Sequence, residues 1–290
     1  MTDTARKVSE IIAIAQLEPS LKNIYVEGMD DWYLINDFLN HHKKTGIGLY
    51  TIDSVDFSEL YEKFSGDDVK ALESNNKKRV ILLASTIESN TNGLTLPLIC
   101  LIDRDWDFVT NDVKNGKYIV YTDYNSMELY LMNIETVDKY LRQGFRINNP
   151  KTEMLISSIK PIVRQIFHLR CFTKNENEPM IGNDRDFSFE KSTYKCKLNF
   201  ESLWAKTINN RGLASKAGEL KDLYNQRIAV DCDEKLEIRG HDFIHYLCLC
   251  VKRIKSNFRL EDEYFSHLFW SYLDLEKLAQ EPLFRRILEL

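Results

Sequence analysis

The spacing of apolar residues divides this chain into a mixed front part and a mainly helical remainder. Up to about residue 123, short apolar runs alternate with segments whose apolar residues recur every three or four positions. The runs predict strands at 21–28, 46–53, 94–103 and 117–123, and the helical spacings lie at 5–16, 30–39 and 57–64, with 78–89 ambiguous between the two. Strands that alternate with helices predict an α/β fold with a mainly parallel sheet flanked by helices.

The remainder of the chain follows a different pattern. Helical spacing predicts long helices at 154–170, 241–256 and 261–290, and the polar, aromatic-containing segment 180–200 predicts a loop or hairpin. The boundary is placed at Asn148-Asn149-Pro150, because proline disfavours a helix through the residue before it. We therefore predict an α/β domain at 1–148 and a mostly helical domain at 149–290, suited to substrate binding, dimerisation or partner contact.

Composition excludes several classes of protein. The 290 residues are 43% hydrophobic and 29% charged, which is an ordinary globular balance. The first residues show no secretory signal, and the apolar runs are too short to span a membrane. The six cysteines form no C-x-x-C pair, so a zinc ribbon or disulfide framework is not expected. We predict a cytoplasmic protein with reduced thiols.

Charge is unevenly distributed along the chain, whose net charge is −5. Residues 1–110 carry 11 basic and 18 acidic side chains, whereas residues 151–260 carry 20 and 14. An acidic front and a basic middle suit a metal site beside a surface that binds a polyanion. Chance imbalance on solvated faces explains the same counts equally well.

Three carboxylates stand where predicted strands end. Glu27 follows Ile24-Tyr25-Val26, and Asp103 and Asp105 follow the apolar run 98–102. Ligands of an open parallel sheet bind outside the carboxyl ends of its strands. Residues two apart on an extended segment project to one side, so Asp103 and Asp105 are expected to reach a common point. Clustered carboxylates repel each other unless a cation joins them, and hard oxygen ligands favour Mg²⁺ or Mn²⁺.

A calcium loop of the EF-hand type is excluded for the segment that begins at Asp103. Its sixth position requires glycine and is Phe108, and its twelfth requires a bidentate glutamate and is Lys114.

Four segments carry a resemblance to a known family. They are IYVEGMDDWYLINDFL (24–39), LICLIDRDWD (98–107), YTDYNSMELYLM (121–132) and RGHDFIHYL (239–247). A glutamate after the first strand and a D-x-D after a later one resemble the Toprim fold of topoisomerases, primases and overcoming-lysogenization-defect nucleases. The chain looks most similar to a Toprim-related bacterial family that includes the nuclease effector of the PARIS anti-phage defence system. The resemblance covers residues 20–135 well and thins beyond them.

The resemblance implies a Mg²⁺-dependent nuclease. Glu27 matches the essential glutamate of the family, and Asp103 and Asp105 match its metal-binding aspartates. Glu128 matches a further acid, whereas the downstream lysine of the overcoming-lysogenization-defect nucleases has no clear counterpart. In the defence system the effector is held by an ATPase partner, and once released it dimerises and cleaves host transfer RNA.

The residues also suit phosphodiester cleavage independently of the family. A metal neutralises charge on the phosphoryl group and orients the nucleophile. Glu27 is either a ligand or a general base, and the sequence does not choose between these roles. Phosphate contacts are predicted for a set of basic side chains: Arg104, Lys195, Lys197 and Arg211. For His241, the G-H-D element of the resemblance implies a place near the substrate.

Two aromatic groups have competing interpretations. Phe187, Phe189 and Tyr194 lie among Arg185, Lys191 and Lys195, which suits base stacking on RNA, but a core strand with charged edges fits at least as well. The helical stripe from 264 to 273 is by default core, with a dimer or partner interface as the alternative.

His241 and His245 share a helix face, but a zinc pair needs a third ligand and no H-E-x-x-H is present. The favoured interpretation is that Gly240 ends a loop and Asp242 lies in the first turn of a helix.

Two other functions remain open. One is a non-catalytic Toprim-like regulator that binds an ATPase or nucleic acid. The other is a D-x-D glycosyltransferase, although the Glu27-Gly28-helix element has no role there. The chain has no P-loop, so any ATP dependence must come from another protein.

Overall fold

The computed structural model describes residues 5–62, 64–91, 93–173, 186–230, 232–255 and 262–290. The chain divides into two compact units. The first unit comprises Met1–Arg104, Asp112–Asp123 and Leu275–Leu290, and the second comprises Asp105–Asn111 and Tyr124–Asp274. This division differs from the predicted boundary at 148, because residues 124–148 belong to the second unit and residues 275–290 return to the first.

Short strands and helices of varied length make up both units. In chain order, the strands are β1 Arg6–Lys7, β2 Lys22–Val26, β3 Ile47–Thr51, β4 Val55–Asp56, β5 Leu98–Ile102, β6 Ile119–Tyr121, β7 Phe187–Glu190 and β8 Lys195–Leu198. The α-helices are α1 Val8–Leu17, α2 Met29–His41, α3 Ser58–Tyr61, α4 Gly66–Glu73, α5 Asn76–Asn90, α6 Asp107–Thr110, α7 Ile134–Lys139, α8 Thr152–Thr173, α9 Phe200–Asn210, α10 Ala217–Ile228, α11 Gly240–Ile254, α12 Asp262–Trp270, α13 Leu275–Leu278 and α14 Pro282–Glu289.

A four-stranded sheet of order β3-β2-β5-β6 lies in the first unit, and all three pairings are parallel. The α/β class with a parallel sheet flanked by helices is therefore confirmed. All five residues of β5 are buried, as expected for a strand covered on both faces. Because the strands are parallel, their carboxyl ends share one edge, and the residues that follow β2 and β5 become neighbours.

The segment that was ambiguous in the sequence is helix α5. Asn75 caps it, since its side chain accepts a hydrogen bond from the backbone N–H of Lys78 at 2.9 Å. The buried residues of α5 are spaced three or four apart, which places one helical face on the core: Val80, Leu83, Ala84 and Ile87.

The second unit is mainly helical around α8, which packs against α10 and α11. Strands β7 and β8 pair antiparallel, so the predicted loop or hairpin is a hairpin within the described residues 186–198. None of the described helices is both long and apolar enough to cross a membrane.

The prediction of one long helix at 261–290 is wrong over the described residues 262–290, which form three helices. The physical reason is clearest at Pro282, which occupies the first turn of α14. Proline suits the start of a helix and forces the residue before it out of the helical region, and Glu281 is accordingly extended. Glu261 and Ser256, at predicted helix ends, lie outside the described residues.

Candidate metal-binding site

Glu27 and Asp103 are brought together at the carboxyl edge of the parallel sheet. Glu27 directly follows β2 and Asp103 directly follows β5, and these strands are hydrogen-bonded neighbours. The backbone N–H of Asp103 donates to Oε1 of Glu27 at 2.9 Å. Both residues are only half-buried, so solvent and ligands reach them. Because β2 and β5 are neighbouring strands, two residues 76 positions apart in the sequence form a direct hydrogen bond.

The backbone around Glu27 is held from two sides. The side-chain amide of Asn76 donates to the Glu27 carbonyl oxygen at 2.8 Å. The N–H of Gly28 donates to Oδ2 of Asp31 at 3.1 Å, which satisfies an amide at the start of α2. Glu27 therefore sits between a strand and a helix whose ends are both fixed. Asn76 was missed from the sequence, where its only signal is its place at the start of α5.

Asp105 adopts a conformation that strand alternation does not predict. Its φ is +48°, in the left-handed region, so the segment after β5 is not extended there. We predicted that Asp103 and Asp105 project to one side because the segment is extended. That premise is wrong, since the backbone at Asp105 is left-handed. Aspartate tolerates this region better than most residues. Asp105 belongs to the second unit, where its N–H donates to the carbonyl of Asn125 at 2.9 Å.

Arg104 is engaged with the end of β6. Its Nε donates to the Thr122 carbonyl at 2.8 Å, and its backbone N–H donates to Oγ1 of Thr122 at 3.3 Å. The ammonium of Lys77 in turn donates to the Arg104 carbonyl at 3.4 Å. The Arg104 side chain thus joins the residue after β5 to Thr122 after β6, which is a structural contact. Its contact with phosphate stays a prediction.

Glu128 lies in the second unit, on a short 3₁₀ helix at Met127–Leu131, and is buried. Its Oε1 is 3.3 Å from Nε2 of His241, whereas its Oε2 is buried with no hydrogen-bond partner. The N–H of Gly240 donates to Oγ of Ser126 at 3.1 Å. Two of the segments that carry the family resemblance therefore meet in space, which their separation in the sequence does not reveal.

The carboxylates of Glu27 and Asp103 suit a hard divalent cation. Both residues belong to the first unit and lie at one edge of its sheet. Carboxylate oxygens of this kind are the ligands of Mg²⁺ and Mn²⁺. In the first unit, Glu27 and Asp103 would hold such an ion.

Three of the basic residues predicted to contact phosphate lie on the surface of the second unit: Lys195, Lys197 and Arg211. Lys195 and Lys197 are exposed on the same side of β8. Lys195 pairs in register with Glu190 of β7, so part of its charge is neutralised across the hairpin. Arg211 is exposed at the end of α9 and donates to the Thr173 carbonyl at 3.3 Å.

The stacking interpretation is wrong for two of the three aromatics in the hairpin. Phe187 is 2% exposed and Tyr194 is 8% exposed, and both belong to the apolar core of the second unit. The Phe187 ring packs edge-on against Tyr246 with centroids 5.0 Å apart. Phe189 is half-buried against Tyr194. The core alternative is thus the correct one, and Arg185 lies outside the described residues.

The aromatic stripe at 264–273 is also mainly core. Phe265 and Phe269 are fully buried, and the Tyr140 hydroxyl donates to the Phe265 carbonyl at 2.7 Å. Tyr264 and Leu268 are exposed.

Gly240 begins α11 and Asp242 lies in its first turn, as the favoured interpretation of the G-H-D element predicts. Asp242 has a further role that the sequence did not reveal. It is buried and pairs with Arg170 through two hydrogen bonds of 2.9 Å each.

No protein-family model matches the chain, and no curated protein matches it. The resemblance to Toprim nucleases stays a prediction from segments 24–39, 98–107, 121–132 and 239–247.

Proposed function

We propose that this chain is a metal-dependent nuclease of the Toprim type, using Mg²⁺ or Mn²⁺, and that it cleaves host transfer RNA as the toxin of an anti-phage defence system. In this proposal it resembles AriB, the PARIS effector. An ATPase of the same system restrains it, and the released chain acts in the cytoplasm as a homodimer.

The observation that carries the proposal is the hydrogen bond between the Asp103 amide and the Glu27 carboxylate. It supports a shared ligand site because it joins the two acids at the sheet edge where parallel α/β folds bind ligands. Asp105 and Glu128 stay predictions from the sequence.

In this proposal Asp103 and Asn76 hold Glu27 in position. The Asp103 amide fixes the rotamer of Glu27, and the Asn76 amide fixes the backbone of Glu27. The Asp103 carboxylate follows directly on a fully buried strand and is therefore held on a rigid element. The bound ion would supply charge neutralisation on the phosphoryl group that is transferred.

The test uses the purified full-length chain with transfer RNA and either Mg²⁺, Mn²⁺ or a chelator. The key variants are Glu27→Gln and Asp103→Asn, which keep side-chain size and remove a carboxylate charge. We expect cleavage to fall by at least about 100-fold, more than an outer-shell change causes. Asp37→Asn is the control, because Asp37 is an exposed acid on α2. It is expected to keep full activity.

Sequencing of cellular RNA after induced expression identifies the substrate. New transfer-RNA ends are expected with the wild-type chain and not with Glu27→Ala. Growth arrest that persists in Glu27→Ala and Asp103→Ala would contradict the proposal and favour a non-catalytic regulator. Thermal stabilisation by a nucleotide-sugar with Mn²⁺, without cleavage of nucleic acid, would favour a glycosyltransferase.

A further inference from the structure

A second cluster of possible metal ligands lies in the first unit and contains none of the predicted carboxylates. His41 ends α2, His42 follows it, and Glu276 lies on α13. Each residue offers one ligand atom, and these three atoms lie within 4.8 Å of one another. We propose that His41, His42 and Glu276 form a binding site for a transition-metal ion such as Zn²⁺, which fastens the segment 275–290 to the end of α2.

The spacing suits a tetrahedral ion. With bonds of roughly 2.0–2.2 Å, a tetrahedral Zn²⁺ holds its ligand atoms about 3.4 Å apart. Nε2 of His41 and Oε1 of Glu276 are 2.8 Å apart, joined by a hydrogen bond, and the other separations are no longer than 4.8 Å. Small side-chain rotations therefore reach the coordinating geometry.

The choice of metal follows from the donor types. Imidazole nitrogen suits Zn²⁺, Cu²⁺ and Ni²⁺, whereas Mg²⁺ takes oxygen ligands. Two histidines and one glutamate are a known set of three protein ligands for zinc, which leaves a fourth position for water. This site thus differs in chemistry from the carboxylates at Glu27 and Asp103.

The backbone of α2 also favours a cation here. The carbonyl groups at the end of a helix carry partial negative charge, and His41 and His42 occupy that end of a 13-residue helix. The Glu276 carboxylate adds a formal negative charge. The nearby Lys44 ammonium is directed to the carbonyl of Leu288.

The two ligand-bearing elements are already held in place. Phe38 of α2 and Phe284 of α14 are both fully buried, with ring centroids 4.8 Å apart. The His42 ring packs on Phe38 at 4.6 Å. Nε2 of His42 lies 3.4 Å from the carbonyl oxygen of Leu275. A contact of this kind fixes the tautomer of the imidazole and so decides which ring nitrogen can bind a metal ion. The backbone segments that carry the ligands therefore need little rearrangement when an ion binds.

The alternative is that His41 and Glu276 form an exposed ion pair and nothing more. Their side chains are 43% and 74% exposed, and a pair of that kind contributes little to stability. The experiment must separate a simple ion pair from a metal site.

The test is calorimetric titration of Zn²⁺ into the full-length, chelator-treated chain, with thermal unfolding at each Zn²⁺ concentration. In a chain that carries Glu27→Gln, which disrupts the carboxylate site, we expect one Zn²⁺ per chain and an unfolding temperature that rises with free Zn²⁺. His41→Ala, His42→Ala and Glu276→Ala should each weaken binding about tenfold or more. His267→Ala, which changes an exposed histidine on α12, should bind as the wild type does.

Two further measurements keep the outcome decisive. Amide hydrogen exchange in residues 275–290 should slow with Zn²⁺ in the wild type and not in His41→Ala. Co²⁺ should give the visible spectrum of a nitrogen- and oxygen-ligated ion, without the thiolate band that cysteine ligation produces. Binding that survives all three substitutions, a thiolate band, or no saturable binding would overturn the proposal. The Zn²⁺ binding that depends on His41, His42 and Glu276 should persist in Glu27→Gln, so failure here is distinct from failure of the nuclease.

Discussion

Gly240 lies so close to Glu128 that a side chain at position 240 has no room. A Cβ built on Gly240 would be 2.6 Å from Cβ of Glu128 and 2.6 Å from Oγ of Ser126. The start of α11 is therefore packed directly on the 3₁₀ helix that carries Glu128, and only glycine permits this approach.

Gly240→Ala is expected to destabilise the protein by about 1–3 kcal/mol, because an added methyl group in a packed site forces its neighbours apart. Glu128 would be displaced in the process. Chemical denaturation measures the free energy of unfolding. Gly218→Ala on α10 is the control, since no atom other than the adjoining backbone of its own helix lies within 4 Å of the added Cβ. It is expected to stabilise by about 0.5–1 kcal/mol, and equal effects in both variants would refute the packing argument.

The carboxyl group of Glu237 makes the free energy of unfolding depend on pH. Burial raises the pKa of its carboxyl, but hydrogen bonds from His168, Cys232 and Arg164 outweigh this effect and lower the pKa to about 2. The folded pKa is thus below the unfolded one, so the stabilisation is present above about pH 4.5 and is lost as the pH falls towards 2. A difference of this size corresponds to about 3 kcal/mol.

Glu237→Gln should remove this acid-dependent part of the stability curve. It should also cost about 3–5 kcal/mol at neutral pH, because Arg164 loses a buried partner. The measurement is the free energy of unfolding between pH 2 and 7. Glu201→Gln, at a carboxylate that is 76% exposed, serves as the control. A Glu237→Gln curve that runs parallel to the wild type would show that Glu237 is not the source.

The buried pair of Arg170 and Asp242 holds α8 to α11. Their side chains are 1% and 3% exposed. Asp242→Asn should cost about 3–5 kcal/mol, because it leaves a buried guanidinium without its carboxylate. The double variant Arg170→Met/Asp242→Leu should be less destabilised than Asp242→Asn. The variant Asp112→Ala/Lys114→Ala calibrates the comparison, because these paired side chains are 63% and 47% exposed and their loss is expected to change stability by less than about 1 kcal/mol. A double variant worse than the single one would count against this account.

Cys196 is expected to be the most reactive of the half-buried thiols. A hydrogen bond from Cys250, whose Sγ is 3.4 Å away, lowers the pKa of Cys196, whereas burial raises the pKa of Cys232 to about 11. Iodoacetamide near neutral pH should therefore modify Cys196 before Cys232, because the thiolate is the nucleophile. Peptide mass spectrometry follows the rates. Cys250→Ala should slow the labelling of Cys196, and an unchanged rate would show that the hydrogen bond has no influence.

The sheet could be predicted from the sequence because each of its strands is a local run of apolar residues. The apolar runs at β2, β3, β5 and β6 were found to within a few residues, since buried parallel strands are continuous apolar segments. The nearness of Glu27 and Asp103 followed once their strands were taken as neighbours. The segment 78–89 could not be assigned from the sequence, because a short apolar run fits both the helical and the strand spacing. In the structure it belongs to α5.

The features that were missed depend on long-range packing. The left-handed backbone at Asp105 is accompanied by a hydrogen bond to Asn125, and the Glu128–Gly240 contact joins residues more than 100 positions apart. The buried partner of Asp242 is equally invisible in sequence. The adjacent histidines at 41 and 42 were visible, but their third partner, Glu276, lies 235 residues from His41.

The return of residues 275–290 to the first unit has a consequence for synthesis on the ribosome. Phe38 is covered by Phe284, a residue translated about 250 codons later. While the rest of the chain is being made, that aromatic surface stays open to chaperones and to neighbouring nascent chains. The first unit can therefore reach its final packing only after the intervening second unit has been synthesised.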